Sequence, residues 1–184
     1  MEKRELRHLL QRVLRGDVEA FGAFYERMLD RIFRYLFYRT GHLQDAEDLT
    51  EEVFLKAWEA LHRTREVPDH PEAWLYRIAH NAVVDHYRTR KMHASLDDLK
   101  GPPSATTDTP EDAVLATERL QGLMDKLHRL PPIYQQVLIC RFIQGLSHKE
   151  VAQVLGTNEN HARILQYRAL KRLREEMAKE EEHE

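Results

Sequence analysis

Cysteine is almost absent from this 184-residue chain, which contains one, Cys140. An internal disulfide bond is therefore excluded. Because Cys140 lies inside the apolar run VLICRF, we expect it to pack in the core rather than to act in redox chemistry. Metal-ligand spacing is missing too, since the eleven histidines include no HExxH motif and His80 and His86 are six residues apart. The sequence thus predicts no metal, no cofactor and no catalytic residue.

Long hydrophobic runs are also missing. No apolar run approaches the roughly 20 residues that span a bilayer, and the opening MEKRELRHLLQRVLRG carries too many charges for a signal peptide. We therefore expect a cytoplasmic protein without membrane insertion. Glycine and proline are scarce, with seven of each, while 42% of the residues are hydrophobic. This composition favours an all-α protein that can bury real cores.

Neither sign of charge dominates the chain as a whole, because the formal net charge is only -3. The charges are unevenly distributed, however. Residues 96–118 are acidic, whereas residues 119–174 hold ten Lys or Arg against three acidic residues, a net charge of +7. A local basic excess of this kind is typical of a surface that binds phosphate.

The basic segment contains two helical patterns joined by a tight turn, SHKEVAQVLGTNENHARILQYRALKRLR. Ser147 and Glu150 form a capping box that begins the first helix, and Gly156 ends it. The second helix has a narrow apolar stripe and a polar, basic face, which is typical of a helix-turn-helix that reads the major groove of DNA. An ordinary helical hairpin with a solvated basic face fits the same pattern. The candidate DNA-reading residues are Asn160, His161, Arg163, Tyr167, Arg168 and Lys171.

The N-terminal half begins with two predicted helices, from Glu2 to Arg15 and from Asp17 to Arg39. A third, from Gln44 to Leu61, is acidic in its first two turns. Acidic side chains there favour the helix dipole, but one or two suffice for that effect, so five indicate an exposed surface for a basic partner. Phe54 fits either the core or the edge of that surface. The acidic residues are Asp45, Glu47, Asp48, Glu51 and Glu52.

A fourth predicted helix, from Pro71 to Arg90, combines aromatic and basic residues. Aromatic rings stack on unpaired bases and cations hold phosphates, so this combination indicates contact with single-stranded nucleic acid. Trp74 taken alone is more often a core residue. The candidate residues are Trp74, Arg77, Asn81, Tyr87, Arg88, Arg90 and Lys91.

Residues 94–117 mix Pro, Gly, Ser, Thr and Asp, and cannot bury enough apolar surface to hold one conformation. We therefore expect a flexible acidic linker between an N-terminal domain of residues 1–93 and a C-terminal domain of residues 118–178. An acidic, frayed tail should follow at residues 179–184. Within the C-terminal domain, two further helices are predicted, from Glu111 to Leu130 and from Ile133 to Ile143.

Three of these segments, taken in order, resemble the extracytoplasmic-function (ECF) sigma factors, the two-domain group IV of the bacterial sigma superfamily. DAEDLTEEVFLKAW is similar to the family's core-polymerase-binding helix, and PEAWLYRIAHNAVVDHYR is similar to its promoter-melting helix. LPPIYQQVLICRFIQGLSHKEVAQVLGTNENHARILQYRALKRLR is similar to its C-terminal helix-turn-helix. The resemblance covers nearly the whole chain and implies a sigma2-like helical bundle and a sigma4-like helix-turn-helix domain.

The resemblance also implies a mechanism. The acidic helix would bind the clamp coiled coil of core RNA polymerase through Asp45, Asp48, Glu51, Glu52 and Phe54, and the polymerase flap would be a second contact. The fourth helix and the loop from His62 to His70 would capture a flipped base of the melted -10 strand, and the reader helix would bind the -35 duplex. The linker would thread the polymerase channels, and an anti-sigma factor is implied as a further partner.

Two positions depart from the family pattern. Many members have Gly-Thr-Val where this chain has Asn160-His161-Ala162, so its -35 preference cannot be copied from a relative. Many also have Gln in place of Glu51, which should leave clamp binding intact. The competing interpretation is a stand-alone helix-turn-helix transcription regulator, which accounts for the C-terminal half but not for the acidic and basic-aromatic helices.

Overall fold

The computed structural model describes residues 2–94 and 122–181, which form helices and turns without a strand. The N-terminal domain contains α1 (Glu2–Leu14), α2 (Val18–Thr40), α3 (Leu43–Thr64) and α4 (Pro71–Ala94). The C-terminal domain contains α5 (described over residues 122–128), α6 (Pro132–Leu138), a π-helical turn (Ile139–Ile143), α7 (His148–Leu155) and α8 (Glu159–Glu181). The predicted all-α fold is confirmed. The predicted linker lies outside the described residues except for Ala94.

Helix boundaries follow local capping chemistry. Asp17 caps α2 by accepting a hydrogen bond from the Ala20 amide at 3.2 Å. The capping box of α7 is present in full, because the Ser147 amide donates to the Glu150 carboxylate at 2.8 Å and the Ser147 hydroxyl accepts from the Glu150 amide. Gly156 ends α7 with a φ of 66°, a left-handed conformation that glycine adopts without strain. These predicted boundaries are therefore confirmed.

Several helices differ from their predicted extent. α3 ends at Thr64 rather than Leu61, and α4 ends at Ala94 rather than Arg90. The single helix predicted from Ile133 to Ile143 changes into a π-helical turn at Ile139, where the Gln144 amide donates to the Ile139 carbonyl at 3.0 Å. α8 extends to Glu181, so its last turns are helical where a frayed tail was expected. Pairs of opposite charge three residues apart, such as Lys179 with Glu176 at 2.8 Å, stabilise that end.

The core of the N-terminal domain is built around α2. Phe24, Met28, Ile32 and Leu36 recur at helical spacing and are fully buried against the apolar faces of the neighbouring helices. Trp58 of α3 packs edge-on against an α2 ring, which confirms that the aromatic face of α2 belongs to the core. This bundle fixes the directions in which α3 and α4 present their outer faces.

The two domains contact each other through buried polar groups. The hydroxyl of Tyr76 on α4 donates to the side-chain oxygen of Gln144 at 2.7 Å. One guanidinium nitrogen of Arg39 donates to the Pro132 carbonyl at 2.9 Å, and Arg39 itself is only 1% exposed. Cys140 lies in the same region, where burial raises the pKa of its thiol to about 12. The packing role predicted for Cys140 is thus confirmed, whereas the sequence did not indicate that Arg39 is buried.

We expect Tyr76→Phe to lower the free energy of unfolding by about 1–2 kcal/mol, because the buried Gln144 oxygen would lose its donor while the ring remains in place. Urea denaturation followed by circular dichroism measures the change. Tyr167→Phe is the matched control, because Tyr167 is 71% exposed and its hydroxyl can remain hydrated. Equal stability of the two variants would contradict a stabilising hydrogen bond between the domains.

His80 on α4 is sensitive to this environment. Removal from water, together with the smaller effect of the positive charge of Arg39, lowers the pKa of its imidazole from 6.5 to about 4. The folded protein therefore binds this proton more weakly than the unfolded chain does. His80 therefore costs no stability above pH 6.5, and the free energy of unfolding falls progressively as the pH drops from 6.5 toward 4.

Replacing His80 by Gln should accordingly make stability less dependent on pH. We expect wild-type protein to lose more unfolding free energy between pH 7 and pH 5 than His80→Gln does, with effects of the carboxylates common to both. Denaturant titrations at several pH values provide the measurement. His161→Gln removes an exposed histidine and should keep the wild-type slope. Parallel pH profiles for wild type and His80→Gln would refute this role of His80.

Candidate nucleic-acid and partner interfaces

The orientation of α8 is fixed by the residues beneath it. Ala162, Leu165 and Ala169 recur at helical spacing and are buried against α6 and α7. The side-chain oxygen of Gln166 accepts a hydrogen bond from Arg141 at 2.9 Å and lies 2.9 Å from a ring nitrogen of His148. These contacts fix the rotation of α8 about its own axis, and hence the residues it presents to solvent.

The outward face of α8 carries all the predicted -35 residues. Arg163 forms an ion pair with Glu159 one turn earlier, and the Asn158 side chain caps the helix by accepting from the His161 amide at 2.8 Å. A folded helix N-terminus with exposed cations and amides can approach phosphates and base edges. The predicted residues found exposed are Asn160, His161, Arg163, Tyr167, Arg168 and Lys171.

Pattern analysis missed two apolar residues on α8. Ile164 is 50% exposed, although an isoleucine in a helical pattern is ordinarily expected in a core. Leu170, also apolar, is 37% exposed. Ile164 could have been recognised from the sequence, because it lies four residues after Asn160 and three before Tyr167, both outward-facing.

The acidic surface on α3 is smaller than predicted. Asp48 and Glu51 are exposed, and Glu52 is half-buried beside Lys56 one turn later. Asp45 is half-buried instead, and its carboxylate accepts a hydrogen bond from Arg90 of α4 at 2.9 Å. Asp45 therefore holds α3 to α4, which its position in the first turn of α3 did not reveal.

Phe54 does not lie on this surface. Its side chain is only 4% exposed, and its ring centroid is 4.5 Å from that of Tyr25 on α2. The expectation that Phe54 contacts a partner is therefore corrected, because the helical spacing of the α3 stripe turns this ring into the core. Leu55, the next residue, is apolar and 59% exposed.

The predicted -10 residues on α4 fall into two groups. Arg77, Asn81 and Arg88 are exposed, and Trp74 is half-buried. Tyr87 is held by its hydroxyl, which donates to the Arg39 carbonyl at 2.7 Å.

The remaining members of the predicted -10 set are Arg90 and Lys91. Arg90 is held by the ion pair with Asp45, so it is tied to α3 rather than unengaged. The side chain of Lys91 lies outside the described residues. Arg77 and Asn81 lie where a nucleic acid can reach them, whereas Arg88 also forms an ion pair with Asp85 at 3.2 Å.

Arg77 also marks the closest approach of the two candidate DNA surfaces. A guanidinium nitrogen of Arg77 lies 3.9 Å from the position that a side-chain carbon on Gly156 would occupy, at the turn between α7 and α8. The start of α4 packs beside Glu150 at the start of α7. The structure thus brings the basic-aromatic helix and the helix-turn-helix into direct contact.

The exposed surfaces of the described residues are distinguished by their charge. Within residues 2–94 and 122–181, no group of three or more His, Cys, Asp or Glu side chains is placed to hold a metal ion. No helix in these two described ranges combines the length and the apolar character needed to cross a membrane. The notable surfaces are an acidic patch on α3, a polar and basic patch on α4 and a basic face on α8, which match a basic partner and a polyanion.

Comparisons with known proteins assign this chain to a family. The model of Sigma-70 region 2 matches residues 24–92, and that of Sigma-70, region 4 matches residues 127–175. The ECF RNA polymerase sigma factor BldN of Streptomyces coelicolor is 36% identical over 166 residues, which make up 90% of this chain and 63% of BldN. The RNA polymerase sigma factor YlaC of Bacillus subtilis is 33% identical over 164 residues, which make up 87% of this chain and 93% of YlaC.

Solved structures share the fold. CnrH in complex with the cytosolic domain of CnrY superposes with a TM-score of 0.71 at 24% identity, covering 95% of this chain and 97% of CnrH. The sigma factor RpoE of Bartonella quintana, in complex with the anti-sigma factor NepR, superposes with a TM-score of 0.67 at 20% identity, covering 88% of this chain and 98% of RpoE. Since models of both sigma regions match its two domains and YlaC matches over nearly its full length, the chain belongs to the ECF family of bacterial RNA polymerase sigma factors.

Proposed function

We propose that this chain binds core RNA polymerase through α3 and directs promoter-specific initiation by contacting the -35 duplex with α8 and the melted -10 strand with α4. The observation that carries the proposal is the exposed polar and basic face of α8, which lies opposite a buried apolar stripe. Residues 159–174 of that helix belong to the segment of residues 119–174, whose net charge is +7. Charge and geometry together match duplex DNA.

The -35 contact would divide between base edges and phosphates. Asn160 and Arg163 lie in the first two turns of α8, the part of a recognition helix that enters the major groove. An arginine can donate two parallel hydrogen bonds to guanine, and an asparagine can pair with adenine in the same way. Arg168 and Lys171, farther along the helix, would hold the phosphate backbone and set the register.

The -10 contact would use the exposed part of α4. Trp74 would provide a ring on which an unpaired base stacks, and Asn81 would offer an amide to that base. Arg77 and Arg88 would neutralise phosphates of the same strand. Stacking of about 1–3 kcal/mol per base offsets the few kcal/mol needed to flip a nucleotide, so binding itself would drive strand opening without nucleotide hydrolysis.

The polymerase contact would use Asp48, Glu51 and Glu52, with Leu55 adding an exposed apolar side chain to the charged surface. A basic coiled coil, as in the polymerase clamp, is the partner that these charges favour. The flap is proposed as a second contact, for the C-terminal domain. Asp45 and Phe54 would support this surface from within the fold rather than touch the partner.

An anti-sigma factor is proposed as a further partner, with the cytoplasm as the place of action. The structure of RpoE of Bartonella quintana contains the anti-sigma factor NepR, and this chain shares the RpoE fold. A stand-alone helix-turn-helix regulator is the second candidate function. It is favoured only by the α8 face, because a regulator of that kind has no need of the acidic surface on α3.

Transcription in vitro with core polymerase and a library of random promoters tests the proposal. We expect initiation from a subset of templates that share two sequence elements, recovered by sequencing the transcripts. Failure to bind core polymerase, or binding without selective initiation, would overturn the proposal. Selective DNA binding that never leads to initiation would favour the stand-alone regulator.

Asp48→Lys should weaken binding to core polymerase by about tenfold or more, because a cation would then face the basic partner. Fluorescence anisotropy with labelled protein measures the affinity. Asp30→Lys, at an exposed site on α2, makes the same change in net charge on a different helix and should bind as wild type does. Similar losses in both variants would show that α3 is not the polymerase surface.

Trp74→Ala should reduce strand opening more than it reduces formation of the closed complex, because base stacking is needed only after melting. Permanganate reactivity of the -10 thymines reports opening, and retention of the duplex promoter reports closed-complex binding. Trp74→Phe keeps an aromatic ring and should retain most of the opening. An alanine variant that opens promoters normally would exclude Trp74 as a stacking residue.

A further inference from the structure

An apolar side chain lies at the centre of the DNA-reading face of α8. With about 3.6 residues per turn, Asn160, Ile164, Tyr167 and Lys171 form one ridge along the helix. The buried stripe of Ala162, Leu165 and Ala169 lies on the opposite side, so this ridge projects farthest from the domain. Ile164 is therefore an exposed aliphatic group, 50% accessible, on a ridge whose other members are polar, aromatic or basic.

The fold does not allow α8 to rotate so that Ile164 becomes buried. Gln166, two residues later, is held on the inner side of α8 by the hydrogen bond from Arg141 and lies beside His148. Rotating α8 to bury Ile164 would break this contact and expose Leu165. The exposed isoleucine is thus a fixed property of the fold.

An isoleucine on a helix presents a rigid apolar surface. Its side chain branches at the β-carbon and has one strongly preferred χ1 rotamer in a helix, so little conformational freedom is lost on contact. Ile164 is the sixth residue of α8, within the second turn. That is the part of a recognition helix that reaches base edges in the major groove.

We infer that Ile164 is a specificity-determining residue that packs against the C5-methyl group of a thymine in the -35 duplex. This inference rests on the proposed function and names one base that α8 reads. The thymine methyl group is the apolar feature that distinguishes one base edge in the major groove, and apolar side chains contact it in known complexes. Isoleucine offers no hydrogen bond to a base edge, so its contact favours thymine over cytosine at that position.

The surrounding charges favour DNA as the occupant of this face. Arg163 and Arg168 lie on the two sides of the ridge, and Lys171 follows Ile164 by two turns. Cations on both sides of an apolar centre match a groove whose floor carries methyl groups and whose walls carry phosphates. A purely apolar partner would take these cations out of water without offering them a counter-charge of its own.

Replacement of thymine by deoxyuracil tests the inference, because it removes the methyl group and nothing else. The -35 duplex selected from the promoter library is synthesised with each thymine replaced in turn, and its affinity for the full chain bound to core polymerase is measured. We expect a loss of about fourfold at one thymine, the amount that follows from losing one buried methyl contact. Ile164→Ala should bind the unmodified duplex about as weakly as wild type binds that deoxyuracil duplex.

The inference is tested by whether the effect of the deoxyuracil replacement depends on the residue at position 164. The deoxyuracil replacement should have no further effect on Ile164→Ala, whereas the matched control Met177→Ala, another exposed apolar residue of α8, should show the full wild-type loss. An Ile164→Ala variant that keeps the wild-type response to every replacement would overturn the inference while leaving the proposed function intact. Absence of any sequence-selective binding by the wild-type complex would instead overturn the proposed function.

Discussion

A buried guanidinium holds the described architecture together. Arg39 at the end of α2 donates to the Pro132 carbonyl of the C-terminal domain, while its own carbonyl accepts the Tyr87 hydroxyl of α4. A charge removed from water is costly unless hydrogen bonds satisfy it, so the position of the guanidinium is sharply constrained. One residue therefore links α2, α4 and α6, and the positions of the outer faces of α4 and α8 depend on it.

Local rules explain how much of the fold could be predicted. Asp17, Gly156 and the pair Ser147 and Glu150 act through hydrogen bonds or dihedral angles within a few residues, and so their helix boundaries were predictable. Arg39 was not predictable, because its acceptor lies 93 residues away and an arginine near a helix end normally indicates a solvated surface. The π-helical turn packs against α2 of the other domain, and helical periodicity does not describe contacts between domains.

The candidate site was likewise predictable only in part. The exposed residues of α8 follow from its buried stripe, because a helix with one apolar side has a determined opposite side. Asp45 was assigned to the α3 surface from its charge, and Phe54 from the family resemblance, but contacts with α4 and α2 remove them from it. Ile164 was not among the predicted DNA-reading residues, because those were identified by their polar, aromatic or basic side chains and not by their position on the outer side of the helix. Burial of an ion pair or a ring depends on neighbouring helices, which a single helical pattern cannot specify.

The hydrogen bond between Tyr76 and Gln144 has a thermodynamic consequence for binding. A ligand that needs the covered part of α4 can bind only those molecules in which the two domains have separated. Its apparent dissociation constant is then the intrinsic constant divided by the separated fraction. Every 1.4 kcal/mol of domain cohesion would weaken the apparent affinity about tenfold, so residues remote from any bound nucleotide can set the concentration at which promoters become occupied.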